Sequence, residues 1–184
     1  MKKIIFILLF VPIFAFAKKW ETLEGCRLKK NSFNDGDSFH VTHKGKEYIF
    51  RLYFVDTPET DNKYPKRVKD QSKYWNISEK KTVSLGKNAK KFTKDILDKK
   101  FTVFTCWKDA KGSSKNPRYF AFVKTNSGND LAVLLVSNGL ARIYGMRENH
   151  PKGFNSSKLL KEFYKLEKAA KKNKLGGWAV SCKQ

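Results

Sequence analysis

Carboxylates and arginines gather in two short runs of this chain. Asn34-Asp35-Gly36-Asp37 sets two acids around a glycine, and Phe50-Arg51-Leu52-Tyr53-Phe54 runs straight into Val55-Asp56-Thr57-Pro58-Glu59-Thr60. Carboxylates supply hard oxygen ligands for a divalent cation. A fixed guanidinium is a planar fork of donors that matches a phosphate. His and Cys form no cluster that would suit a softer metal. The chemistry to expect is therefore metal and phosphate chemistry, and the elements around these runs must bring them together.

Phe50, Leu52 and Phe54 alternate with Ile49, Arg51 and Tyr53, so a strand places Arg51 on the face opposite the phenylalanines. Pro58 stops the ladder and holds Thr57 extended. Upstream, Thr22 to Phe33 reads as a first strand ended by Asn34-Asp35-Gly36, and Asp37 to His43 as a second. Its His40 and His43 are expected to face solvent. The Lys44-Gly45 turn leads to a third strand, Lys46 to Phe54, which completes an antiparallel meander. Asp61 to Val83 reads as an enlarged basic loop with a helical turn or two around Arg67 to Trp75. Tyr64, Tyr74 and Trp75 lie among its lysines. Such a loop either holds a nucleic-acid strand by phosphate contacts and stacking, or uses its aromatics as anchors to the core.

Ser84 is the expected N-cap of a helix reaching about Lys99, with Leu85, Ala89, Phe92, Ile96 and Leu97 as its apolar stripe. Phe101 to Trp107 and Pro117 to Thr125 supply a fourth and a fifth strand around a polar loop. Asp130 caps a short buried helix from Leu131, closed by Asn138-Gly139. Asn155 or Ser156 opens a long terminal helix striped by Leu159, Leu160, Phe163, Leu166 and Ala170, ending near Asn173. Five short antiparallel strands with helices after the third and at the end predict an α+β domain whose sheet closes as a small barrel.

Residues 1–17 have the three regions of a secretory signal peptide: Lys2-Lys3, the apolar run Ile4 to Phe16, and Ala15-Phe16-Ala17. They predict export to the periplasm or beyond, with no membrane span retained after cleavage. Residues 18–184 are then a single domain. Its formal charge of +22, counted on the whole chain, and its pI near 9.9 imply a polyanionic partner, of which nucleic acid is the commonest. Cys26, Cys106 and Cys182 allow one disulfide at most, with the pairing open.

Taken in order, Asp35-Gly36-Asp37, Phe50-Arg51-Leu52 and Val55-Asp56-Thr57-Pro58-Glu59-Thr60 carry a resemblance. So do Lys115-Asn116-Pro117-Arg118, Asn138-Gly139-Leu140-Ala141 and the terminal Leu175 to Trp178. The chain resembles the staphylococcal nuclease (thermonuclease) family over essentially all of residues 18–184. The resemblance implies a five-stranded OB-type barrel with about three α-helices. It also implies a Ca²⁺-dependent endonuclease that cuts DNA and RNA at the 5′ P–O bond and leaves 3′-phosphate ends; a monomer is expected.

By the same resemblance Asp37, Asp56 and the carbonyl of Thr57 are the metal ligands, and Arg51 and Arg118 grip the phosphate. Glu59 orients or deprotonates the attacking water. Asn116-Pro117 stand where the family commonly has Tyr-Gly, and its paired tyrosines after Gly-Leu-Ala are replaced by Ile143-Tyr144-Gly145-Met146. Substrate binding beyond the catalytic set therefore falls to Lys115 and to some of Tyr144, Tyr64, Tyr74 and Trp75. The competing class is an OB-type module that binds single strands without cutting them. Asn149-His150-Pro151 has no partner histidine in suitable context for an HNH-type nuclease.

Overall fold

The computed structural model describes residues 19–111 and 116–179. Residues 1–17, expected to be a signal peptide, and Lys115 and Cys182 lie outside that range. In chain order the elements begin with β1 (Glu21–Leu28), β2 (Ser38–His43), β3 (Lys46–Leu52) and β4 (Val55–Asp56). Next come α1 (Pro65–Trp75), α2 (Glu79–Ile96), β5 (Phe101–Asp109) and β6 (Arg118–Lys124). The chain finishes with α3 (Leu131–Ser137), β7 (Arg142–Ile143), α4 (Ser156–Lys172) and a 3-10 turn over Gly176–Ala179. The sheet closes as a barrel in the order β1-β2-β3-β6-β5, while β4 and β7 form a separate pair. The α+β class and the five-stranded OB-like barrel expected from sequence are both present; the described residues hold four α-helices, not three.

Hairpin chemistry sets the first registers. Lys44 and Gly45 both take positive φ, 47° and 76°, as a two-residue turn requires, and His43 pairs with Lys46. The inner faces of β2 and β3 then match, Phe39 against Phe50 and Val41 against Tyr48. The outer faces bring Ser38 opposite Arg51. His40 does not face solvent: it is buried, and its ring nitrogen Nδ1 lies 2.8 Å from Asn34 Oδ1.

Two corrections to the sheet matter for the site. The barrel is not wholly antiparallel, because β3 and β6 run parallel, with Ile49 beside Arg118 and Arg51 beside Phe120. The chain passes from β3 through β4, two helices and β5 before it returns, so β6 need not reverse direction as a hairpin partner would. The third strand also stops at Leu52 and not at Phe54. Phe54 adopts φ 69° and is almost wholly buried, which breaks the ladder. Its N–H donates to Met146 O at 2.9 Å, and its carbonyl accepts from Tyr144 N–H at 2.8 Å. That bend carries Val55 and Asp56 out of the barrel and into pairing with Ile143 and Arg142.

Residues 61–83 are not an enlarged loop. Pro65 at the helix start, where its missing N–H costs nothing, opens α1, and Asn76 closes it in the left-handed region at φ 53°. Its buried residues Val68, Gln71, Ser72 and Trp75 form one stripe. The N-cap of α2 is Ser78, which accepts from Lys81 N–H, and Ser84 lies inside the helix. Asp130 and Asn155 cap α3 and α4 as expected.

Trp75 is fully buried, and its ring meets those of Tyr74 and Trp178 at centroid distances of 4.9 and 6.2 Å. Tyr74 donates its hydroxyl to Glu167 on α4. These two aromatics anchor α1 to the core and are removed from the substrate-binding candidates. Cys26 and Cys106 are not bonded to one another; burial pushes the Cys26 thiol up to about 11.

Candidate active site

Asp56 is the hub of the site. It has no exposed surface, and each carboxylate oxygen accepts two hydrogen bonds. Oδ1 accepts from Arg51 Nη2 at 2.7 Å and Arg67 Nη2 at 2.9 Å. Oδ2 accepts from Arg142 Nε at 2.9 Å and Gln71 Nε2 at 3.0 Å. Burial alone would raise its pKa, but the guanidinium groups of Arg67, Arg51 and Arg142 outweigh it and hold the acid below its usual range. Asp56 therefore stays ionised inside the protein.

Arg51 joins this acid to the other run. Its Nη2 also lies 2.9 Å from Asp37 Oδ2, so one guanidinium bridges two buried carboxylates. The Asp37 side chain accepts a 3.3 Å bond from Thr57 Oγ1. Asp35 takes a supporting part. Its Oδ1 accepts the N–H groups of Asp37 at 3.1 Å and Ser38 at 2.7 Å, which fixes the turn that aims Asp37. Burial and the neighbouring charge of Asp37 push the Asp35 carboxyl well up.

Arg118 reaches the same outer face from β6. Its Nη1 donates to Ser38 Oγ at 3.3 Å and its Nη2 to Lys111 O at 2.6 Å. Burial and the like charge of Arg51 lower its pKa. The parallel β3–β6 pairing, unforeseen from sequence, is what brings the two arginines to one face.

Glu59 sits at the rim. Its N–H donates to Gln71 Oε1 at 3.0 Å and its Oε1 accepts from Arg67 Nε at 2.7 Å. Burial raises its pKa against the opposing pull of Arg67. The loop that carries it rests on α2 at Gly86, where a Cβ would come within 2.2 Å of Glu59 O and 2.5 Å of Pro58 O. Gly86→Ala gains about 1 kcal/mol of helix propensity, yet it must displace backbone carbonyls that have nowhere to go. We expect a net loss of about 2 kcal/mol from overpacking and, with Glu59 the residue expected to activate water, turnover down at least tenfold, since moving such a group by about 1 Å loses far more than that. Thermal melts and steady-state rates check both; wild-type turnover would show that the loop position is unimportant.

Arg67, Gln71 and Arg142 were not singled out from sequence as site residues. Arg67 and Gln71 come from α1, four positions apart and so on one helix face. Gln71 ties the site together, since its amide also donates to Thr57 O at 3.1 Å. Arg142 comes from β7, and its Nη1 bonds Asp70 of α1 at 2.6 Å. Tyr144, two residues on, is exposed, and the Arg142 guanidinium lies 4.4 Å from its ring centre. Tyr64, half exposed, immediately precedes α1. Both tyrosines are exposed.

The donor set suits a hard cation. Asp37, Asp56 and the Thr57 carbonyl offer only oxygen. Among the described residues Asp37 Oδ2 is buried and met only by its ion pair with Arg51, and Arg118 Nε is buried without a hydrogen bond. The remaining lone pairs of that oxygen fit a cation, and the unbonded Arg118 donor fits a phosphate. No group of three acidic, His or Cys residues among those described forms a ready-made metal cluster. At Asp56 Oδ1 a cation would have to take over from Arg51 and Arg67.

The family model of staphylococcal nuclease homologues matches residues 49–180, a span that includes Arg51, Asp56, Glu59 and Arg118. An uncharacterized protein of Methanocaldococcus jannaschii is 29% identical over 151 residues, covering 78% of this chain and 67% of that protein. An uncharacterized protein of Bacillus anthracis is 29% identical over 168 residues, covering 90% of this chain and 67% of that protein.

Proposed function

The chain belongs to the staphylococcal nuclease family, and from that premise we propose that it is a Ca²⁺-dependent endonuclease acting on DNA and RNA. The observation that carries the proposal is the Arg51 bridge between Asp37 and Asp56, with Glu59 and Arg118 beside it. A surface that only bound strands would gain nothing from burying two carboxylates in a protein of net charge +22.

Arg51 and Arg118 grip the phosphate that is to be cut. Hydrolysis places extra negative charge on its equatorial oxygens, and two guanidinium groups already fixed in place stabilise that charge more than the ground state. Glu59, held in the loop by its N–H bond to Gln71, accepts a proton from the attacking water. Asp37, Asp56 and the Thr57 carbonyl would hold Ca²⁺, which supplies charge neutralisation at the phosphate. The leaving group is the 5′ oxygen, and the product carries a 3′-phosphate.

Arg67 pairs with both Glu59 and Asp56 and so restrains the resting site. Glu59 must be ionised to act, so the rate should rise as pH rises through its elevated pKa. Arg67 lowers that pKa. In Arg67→Ala the acid limb of the pH–rate profile should therefore move to higher pH, and less Ca²⁺ should be needed for half-maximal rate. A profile that stays in place, or moves down, would contradict the pairing.

Residues 1–17 support export of the mature domain, and no helix among the described residues is long and apolar enough to cross a membrane. The purified mature chain should degrade both DNA and RNA in Ca²⁺, leaving 5′-hydroxyl ends that a polynucleotide kinase labels directly and 3′ ends that a polymerase extends only after phosphatase treatment. Tight binding in Ca²⁺ with no cleavage would favour the non-catalytic module.

A further inference from the structure

Pro117 and Tyr119, the sequence neighbours of Arg118, line a cleft shared with β3 and β5. Tyr48, Trp107 and Tyr119 stand there half buried, with Tyr48 and Tyr119 each 5.1–5.4 Å from the Trp107 ring by centroid. With Ile49, Asn116 and Pro117 they line a cleft of about 380 Å³, within the size range of small-molecule sites. Glu47 also lines it, and its charge is paired with Lys29 at 2.5 Å.

Two features mark this cleft as more than a plug of the barrel. The β5–β6 register shifts between Thr105 and Asp109, and inside that bulge Trp107 adopts φ 57°. A bulky side chain in the left-handed region is strained, and bulges beside active sites serve to re-aim a side chain. Here the Trp107 N–H is satisfied by Thr105 Oγ1 at 3.0 Å, which locks the bend.

The second feature is register. Tyr119 pairs with Phe50 on the inner face, whereas Arg118 turns to the outer face with Arg51 and Ser38. One strand thus presents a guanidinium outside and a ring inside at the same rim, flanked by residues that line the cleft.

We propose that this rim is a nucleobase subsite. A single strand whose phosphate lies at Arg118 turns the neighbouring base over the rim to stack on Trp107, Tyr48 and Tyr119. The proposal rests on nucleic acid being the substrate, and it adds where the unpaired base goes. Stacking on a ring is tolerant of sequence, so the subsite favours single strands over duplex without selecting a base.

The test measures binding in EGTA, where cutting is suppressed, by fluorescence anisotropy. The probes are labelled octathymidylate and an abasic strand of the same length and charge. The wild-type protein should bind the base-bearing strand roughly tenfold more tightly. Trp107→Leu, which keeps apolar filling without the ring, should lose that preference while still binding the abasic strand as wild type does. Tyr119→Leu serves as the second variant if Trp107→Leu does not fold. Equal affinity of the wild-type protein for the two strands would overturn the subsite, as would a folded Trp107→Leu or Tyr119→Leu protein that keeps the preference. A base preference in EGTA without cleavage in Ca²⁺ would sustain the subsite and overturn the hydrolase instead.

Discussion

Glu59→Gln should lower kcat for DNA cleavage by about 10³, within the range that a positioned general base supplies, while leaving the thermal midpoint almost unchanged. Glutamine retains both structural contacts of this residue. Its backbone N–H still reaches Gln71, and its amide oxygen still accepts from Arg67 Nε, as Glu59 Oε1 does at 2.7 Å. What it loses is the capacity to take a proton. Because the raised pKa of Glu59 comes first from burial, the residue is a better proton acceptor than an exposed glutamate, so its loss is the more costly. Steady-state rates at saturating Ca²⁺ and substrate, with a melt of the same sample, separate chemistry from folding. Wild-type turnover in a folded Glu59→Gln protein would sink the assignment.

Asp56→Asn should have the largest effect on the fold. The carboxylate accepts four hydrogen bonds, three of them from arginines, and it is wholly buried. An amide cannot accept four bonds, and its NH₂ would face guanidinium donors. Removing one partner of a buried charge network costs about 3–5 kcal/mol, which for a domain of this size lowers the melting temperature by roughly 10 °C. Turnover should vanish as well, because the proposed metal ligand and the anchor of Arg51 go together.

The pH dependence gives an independent check. The folded-state pKa of Asp56 is depressed, so its stabilising contribution is present above the unfolded value of about 3.9 and lost as pH falls toward the lower folded value. The gap in melting temperature between wild type and Asp56→Asn should be full at neutral pH and should close below about pH 4. A neutral-pH melt that matches wild type would mean that the arginines are held by something other than Asp56.

Much of this site is legible in the sequence because it is local. Asp37, Arg51, Asp56, Thr57 and Glu59 lie in two runs, and period-two alternation places Arg51 on the correct face. Arg67 and Gln71 were hidden for a physical reason. The buried stripe of α1 is Val68, Gln71, Ser72 and Trp75, correctly spaced for a helix but half polar. A stripe with Gln and Ser in it reads as a solvated loop, although Pro65 and Asn76 mark both of its ends. The polar pair is buried because it serves the site: Gln71 bonds Asp56, Thr57 and Glu59.

Arg142 escaped notice because β4 and β7 have two residues each, too few to show a period. Trp75 and Tyr74 had two readings in the sequence, substrate contact or anchoring to the core, and the fold takes the second. Lysines around them suggested a surface, yet a helix separates its faces, so the aromatics turn inward while their neighbours remain in water. The parallel pairing of β3 with β6 depends on the path of the intervening helices and has no local signature at all.

The most direct test of the account is continuous cleavage of a fluorogenic single-stranded DNA by the purified mature chain, started in Ca²⁺ and then given excess EGTA. Cleavage should begin with Ca²⁺, stop when EGTA is added, and resume when Ca²⁺ is restored in excess. Cleavage that continues undiminished in EGTA would contradict the cation-dependent site built on Asp37, Asp56 and Arg51.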